Sequence, residues 1–213
     1  MKGYQVFLQL LAICAVSMLF SACSTKQPLP TEEERQEAQA KVPCIIVLPV
    51  ETRVNTDSSM TYNNAAVLEN GADFLDSVIK EALVGKNNVR VLSNRQLTAL
   101  IPRDSGSQLN LIKNVGSELK CDAVLMTQLV VYRQRVGGSY GADSPASAAF
   151  NMRLISTRDG HVIWQSMFRE TQQSLMSNLM SFDKAESRGF KWITVEELVR
   201  QGINEKFEEC PYL

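Results

Sequence analysis

From Val6 to Phe20 the chain is apolar almost without interruption, broken mainly by Gln9 and Ser17. That run is too short for a membrane span, which needs about 20 apolar residues. It has the length of the hydrophobic region of a secretion signal. Ser24 to Pro43 reverses the pattern: it is polar and carries no apolar stripe. Thr31 and Glu34 fit a capping box, so residues 31–41 read as a solvated helix with nothing to bury. No docking onto the rest of the protein is expected from it. Taken as a coil, its twenty residues reach about 25 Å root-mean-square.

The body starts at Cys44. Residues 44–50 form a continuous apolar run ended by Pro49, the mark of a buried strand. Residues 51–64 read as polar loop. Ala66 to Leu83 is the clearest helix, with Val67, Leu68, Phe74, Leu75, Val78, Ile79 and Leu83 at helical spacing and Gly85 as its stop. A strand over 89–92 and a helix over 94–100 follow, the latter capped by Ser93 and stopped by Pro102. Gln108 to Leu119 is another amphipathic helix. Then the period changes to two. Strands are predicted over 122–135, 147–157 and 161–172, with Asp159-Gly160 as a two-residue turn. Leu175, Met176, Leu179 and Met180 fit one face of a short helix. Thr194 and Glu197 form a second capping box, opening a terminal helix whose stripe is Val195, Leu198, Val199, Ile203 and Phe207. The order is β-α-β-α-α-β-β-β-α. The fold class expected is α+β, a mixed sheet with an antiparallel meander and helices packed on it.

Composition narrows the chemistry. The chain has 213 residues, with 22 Lys plus Arg against 23 Asp plus Glu, a net charge of −1. This balance gives no basic face for nucleic acid, and none is expected as a partner. A single histidine excludes a multi-histidine metal site, and no metal or cofactor is expected. There are five cysteines. Cys14 lies in the signal-like run and Cys23 at its end, leaving Cys44, Cys121 and Cys210. In an oxidising compartment one pair can bridge. The pairing favoured is Cys44 with Cys210, tying the chain end to the first strand, with Cys121 a small core residue. Sequence alone leaves this open.

The run Leu19-Phe20-Ser21-Ala22-Cys23 resembles the lipobox of bacterial lipoproteins, with Phe20 where Leu is commonest. The resemblance implies cleavage before Cys23 and attachment of lipid to it. Residues 1–22 are then signal peptide, 23–43 a lipidated tether and 44–213 one periplasmic domain. Ser24, in place of the Asp that commonly signals inner-membrane retention, points to the outer membrane. Acyl chains contribute about 0.8 kcal/mol per buried methylene, so several anchor stably.

A second resemblance rests on Cys121-Asp122-Ala123-Val124-Leu125, on Tyr132 to Gly141, and on Asp143-Ser144-Pro145-Ala146-Ser147. Asp159-Gly160, Val162-Ile163-Trp164 and Phe168 to Gln173 complete it. These residues are similar to small bacterial lipoproteins of unassigned role. Their domain is of the kind in the amino-terminal part of TolB, in peptidoglycan-synthase-activating lipoproteins and in the curli secretion protein. The likeness spans residues 44–207 and implies a shared fold and an envelope location, with no reaction attached. Membrane hairpins of the curli-channel type are not evident.

Gly137-Gly138-Ser139-Tyr140-Gly141 matches G-x-S-x-G, and His161 follows in the chain order of a hydrolase triad. That motif needs a strand, a sharp turn and a helix. Here Pro145 and an alternating strand follow, so the segment reads as a hairpin loop with Gly137 and Gly138 supplying positive backbone angles. Tyr and Arg favour recognition. Arg133, Arg135, Ser139, Tyr140 and Asp143 are therefore the expected partner-binding residues. The function expected is a non-enzymatic interaction module of the cell envelope, with an envelope protein or a second copy of the chain as partner. A small-ligand or peptidoglycan-binding cleft and a serine hydrolase using Ser139 are the alternatives.

Overall fold

The structure is a computed structural model, described over residues 28–52, 62–100, 107–173 and 186–213. The run expected to be a signal peptide, Cys23, Pro102 and the Leu175–Met180 stripe lie outside the described residues. Helices are α1 (Glu32–Lys41), α2 (Tyr62–Ala82), α3 (Asn94–Leu100), α4 (Gln108–Leu119) and α5 (Val195–Glu208). Strands are β1 (Ile45–Val47), β2 (Glu51–Thr52), β3 (Val89–Val91), β4 (Ala123–Arg133), β5 (Val136–Gly137), β6 (Ala142–Ser144), β7 (Ser147–Ser156) and β8 (Val162–Thr171). The main sheet runs β3-β1-β4-β7-β8, parallel on its first half and antiparallel on its second, so the class is α+β.

Pro49 divides the first apolar run. It has no N–H to donate, so the ladder lapses after Val47. It resumes where Glu51 pairs with Gln128, placing β2 beside β4 in a stretch expected to be loop. The Asp159-Gly160 turn is wider than two residues. Thr157 is drawn away by bonds to the Asp122 and Cys121 carbonyls, and Ser156 N–H closes the loop on His161 O at 2.8 Å.

Alternation along the strands builds two cores. Ile45, Val47, Leu125, Leu129, Phe150, Met152 and Leu154 face α2 and α5. Ile46, Leu48, Val124, Met126 and Ile155 face α3 and α4. The first face is covered along its length. Among the described residues the second is covered over the β3-β1-β4 half, and beyond it β4, β7 and β8 present polar side chains, as one face of an antiparallel sheet commonly does.

The disulfide joins Cys44 to Cys121, not Cys44 to Cys210. β1 and β4 start side by side, with Ile45 opposite Ala123, and the Asp122 and Ala123 N–H groups both donate to the Cys44 carbonyl. This brings the two Cα atoms to 4.7 Å, inside the range a disulfide requires. Cys44 and Cys121 belong to the second core, whereas Cys210 is buried and free in the first, across the sheet.

α1 also departs from expectation. It has no buried residue, yet it is docked. Arg35 donates from Nη1 to the main-chain oxygens of Cys210 (3.0 Å) and Leu213 (3.2 Å), and from Nη2 to that of Glu208. The carboxyl end of a helix leaves carbonyls without helical partners and carries partial negative charge, which a guanidinium satisfies. Val42, just past α1, is buried in the first core.

Candidate functional site

The chain leaves the sheet at Arg133, makes a small two-stranded hairpin of β5 and β6, and re-enters at Ser147. This hairpin stands beside the amino-terminal end of α5. Gly137 takes φ +102°, and a Cβ there would lie 2.7 Å from Gly141 O, so glycine is required. Gly138 does not take a positive angle. Its N–H closes the tip on Gly141 O at 2.8 Å.

The hairpin is held by amides that no sequence motif marked. Gln134 donates from Nε2 to Glu196 (2.8 Å), while its Oε1 accepts the N–H groups of Val195 and Arg135. The Tyr132 hydroxyl donates to the other Glu196 oxygen at 3.2 Å. Burial by itself would raise the Glu196 carboxyl. Hydrogen bonds from its own backbone N–H, Gln134, Thr194 and Tyr132 outweigh this and hold it below the ordinary carboxylate value. Burial, followed by the Glu196 charge, pushes the Tyr132 phenol up.

A second strap comes from β8. Gln172 follows that strand, donates to Lys191 O (2.7 Å) and accepts from Ile193 N–H (2.9 Å). Trp192 N–H donates to Ser139 O at 2.7 Å. The 191–193 segment thus lies against the hairpin tip, and the Lys191 ammonium sits 5.8 Å from the Tyr140 ring centre.

These contacts sort the five expected residues. Arg135 and Ser139 are used inside the hairpin: the guanidinium donates to Gly137 O (3.0 Å) and to Ser139 Oγ (3.4 Å). Arg133, Tyr140 and Asp143 are exposed, Tyr140 by 80%. Val136 and Phe190 add exposed apolar surface. Among the described residues, Arg169 and Lys191 are further exposed basic groups at this end.

Ser139 and His161 are not brought together. His161 lies past the far end of β7, about 30 Å from the hairpin at roughly 3.3 Å per strand residue. Its Nδ1 is 3.4 Å from Asp159. Asp159 is held down to about 2 by hydrogen bonds from Ser156 and His161, an ordinary loop arrangement. Among the described residues no group of three or more His, Cys, Asp or Glu is placed to hold a metal ion.

Among the described residues the other half of this face forms an open trough of about 440 Å³, lined by Glu51, Gln128, Asn151, Arg153, Gln165 and Met167 among others. It is where the alternative ligand cleft would lie. The buried Thr127 hydroxyl has no partner, but strand alternation puts it with Leu125 and Leu129 on the opposite face.

No protein-family model and no curated protein sequence matches the chain. Solved structures of similar arrangement include the PelC dodecamer from Paraburkholderia phytofirmans, at 13% identity over 79% of this chain and 86% of that one, TM-score 0.45. The LpoB C-terminal domain from Escherichia coli is 15% identical over 65% and 96%, TM-score 0.38. Lipoprotein GNA1162 from Neisseria meningitidis is 16% identical over 69% and 95%, TM-score 0.33. Of these three, GNA1162 is a bacterial lipoprotein.

Proposed function

We propose that this chain is a lipid-anchored envelope protein whose domain binds an acidic protein surface through the 133–145 hairpin. The observation that carries the reading is the hairpin itself: Tyr140 projects into solvent from a hairpin held at its base by Gln134 and Glu196 and at its tip by Trp192, whose segment Gln172 straps down. Immobilising a side chain on binding costs about 0.5–1.5 kcal/mol. A platform ordered in advance lowers that cost. Exposed Arg133, Arg169 and Lys191 supply the positive field, and Tyr and Arg are the residue types that most often anchor interfaces.

Export is supported by two independent features, the lipobox-like run ending at Cys23 and the Cys44–Cys121 bond, which suits an oxidising compartment. The finer placement proposed is the periplasmic face of the outer membrane, from Ser24. Against the hydrolase alternative stands the distance between Ser139 and His161. The test is partner capture by the lipidated protein. Tyr140→Ala and Arg133→Ala should each abolish it, and Ser139→Ala should leave it in place. Capture unchanged by the first two would overturn the assignment of the hairpin.

A further inference from the structure

α1 was expected to be a free part of the tether, and it is instead docked on the carboxyl end of α5. Its first turn is held at the carboxyl end of α5 by Arg35, and its last residue leads through Val42 to Cys44 at the start of β1. Arg35, Ala82 of α2 and Phe207 of α5 line one shallow notch. The Thr31–Glu34 capping box ends the helix cleanly on the anchor side. The anchor strand therefore leaves the domain at the end that carries the disulfide, the 157–160 loop and the carboxyl end of α5.

The hairpin lies at the other end. Tyr132, Gln134 and Arg135 sit at the amino-terminal end of α5, 14 residues and about 21 Å from the Arg35 contact. The 11-residue β4 spans about 36 Å between the disulfide end and the hairpin. From Cys23 to Thr31 there are eight peptide steps, at most about 29 Å of chain. If α1 were released, the free length would extend to Pro43 and more than double.

We propose that the Arg35 contact is an orienting latch: it shortens the tether to residues 23–31, turns the disulfide end toward the bilayer and presents the Tyr140 hairpin on the membrane-distal side. The partner then approaches from the side away from the lipid that anchors this chain. The proposal rests on the lipid anchor at Cys23 and goes beyond it, because an anchor on a free coil would give no preferred orientation.

The test uses the lipidated protein, purified from membranes and reconstituted in vesicles of phosphatidylethanolamine and phosphatidylglycerol bearing an acceptor dye in the headgroups. A donor is placed at position 140 or position 158 through a genetically incorporated azide. The native chain should transfer energy at least several-fold more efficiently from 158 than from 140. Arg35→Ala should reduce that ratio at least twofold and speed amide exchange over residues 35–41 about tenfold, with Leu198 to Ile203 unchanged. Equal transfer from the two positions in the native chain would overturn the latch, as would a ratio and exchange pattern that ignore Arg35→Ala. Failure of the native chain to pellet with the vesicles would show instead that the anchor is wrong, and the proposal would fall with it.

Discussion

Cys44 is bonded to Cys121, and the two residues stand at the heads of neighbouring parallel strands, each beside the first ladder pair of Ile45 and Ala123. The bond closes a loop of 77 residues that contains β1, β2, α2, β3, α3 and α4. In the chain-entropy account a loop of this size is worth about 4 kcal/mol. Reduction, or Cys44→Ser with Cys121→Ser, should lower the free energy of urea unfolding by roughly that amount. Cys210→Ser should leave the response to reductant unchanged. A response to reductant that depends on Cys210 would contradict the pairing.

Burial pushes the Cys210 thiol up to about 11, so near pH 8 it is almost wholly protonated in the folded protein. Mass spectrometry of Cys210 after brief alkylation at pH 8 should find it unmodified in the native state and modified in urea. Rapid native labelling would place this carboxyl-terminal turn at the surface.

Two glycines mark close approaches. A Cβ on Gly202 of α5 would lie 2.9 Å from ring carbons of Phe168, which is itself stacked on Phe150. A Cβ on Gly71 of α2 would lie 2.5 Å from Cγ of Tyr132, whose hydroxyl is tied to Glu196. At an open helical site Gly→Ala gains up to about 1 kcal/mol. Here overpacking should reverse the sign, and each substitution should cost about 1–3 kcal/mol in chemical denaturation. Gly71→Ala should also loosen the hairpin, read as faster amide exchange at Val136 and Gly137.

The hairpin support has a predictable pH dependence. The Glu196 carboxyl is lower in the folded protein than in the unfolded chain, where it is about 4.3. Its contribution is therefore complete above that value and is lost as pH falls through the lower folded value. Exchange at residues 134–137 should rise on acidification below about pH 4. Glu196→Gln should flatten the rise, and an unchanged profile would remove Glu196 from the support.

Legibility followed the range of the interaction. The bounds of α4, the capping box that opens α5, and the period-two strands are local patterns, and the chain shows them directly. The disulfide depends on which strands become parallel neighbours across 77 residues, and no local pattern encodes that. Arg35 docks α1 through main-chain oxygens, which leaves no apolar stripe to find. Of the candidate site, the exposed Tyr140 and Arg133 were readable from residue type. The amides that support the hairpin, Gln134 and Gln172, carry no spacing signal, because a single amide acts through geometry alone.

Because Tyr140 is 80% exposed, Tyr140→Ala should change stability by no more than about 0.5 kcal/mol. A loss of partner capture of tenfold or more in that variant would then report recognition and not folding. The folded fraction by circular dichroism is the control.

The most direct measurement is in-cell photocrosslinking of the full chain, with the crosslinker placed in turn at 136, 140 and 143 on the hairpin and at 86, 120 and 158 on the disulfide end. The hairpin positions should yield one defined protein adduct that disappears with Arg133→Ala, and the disulfide-end positions should not. An adduct formed from the disulfide end and absent from the hairpin would contradict the recognition surface assigned to Tyr140.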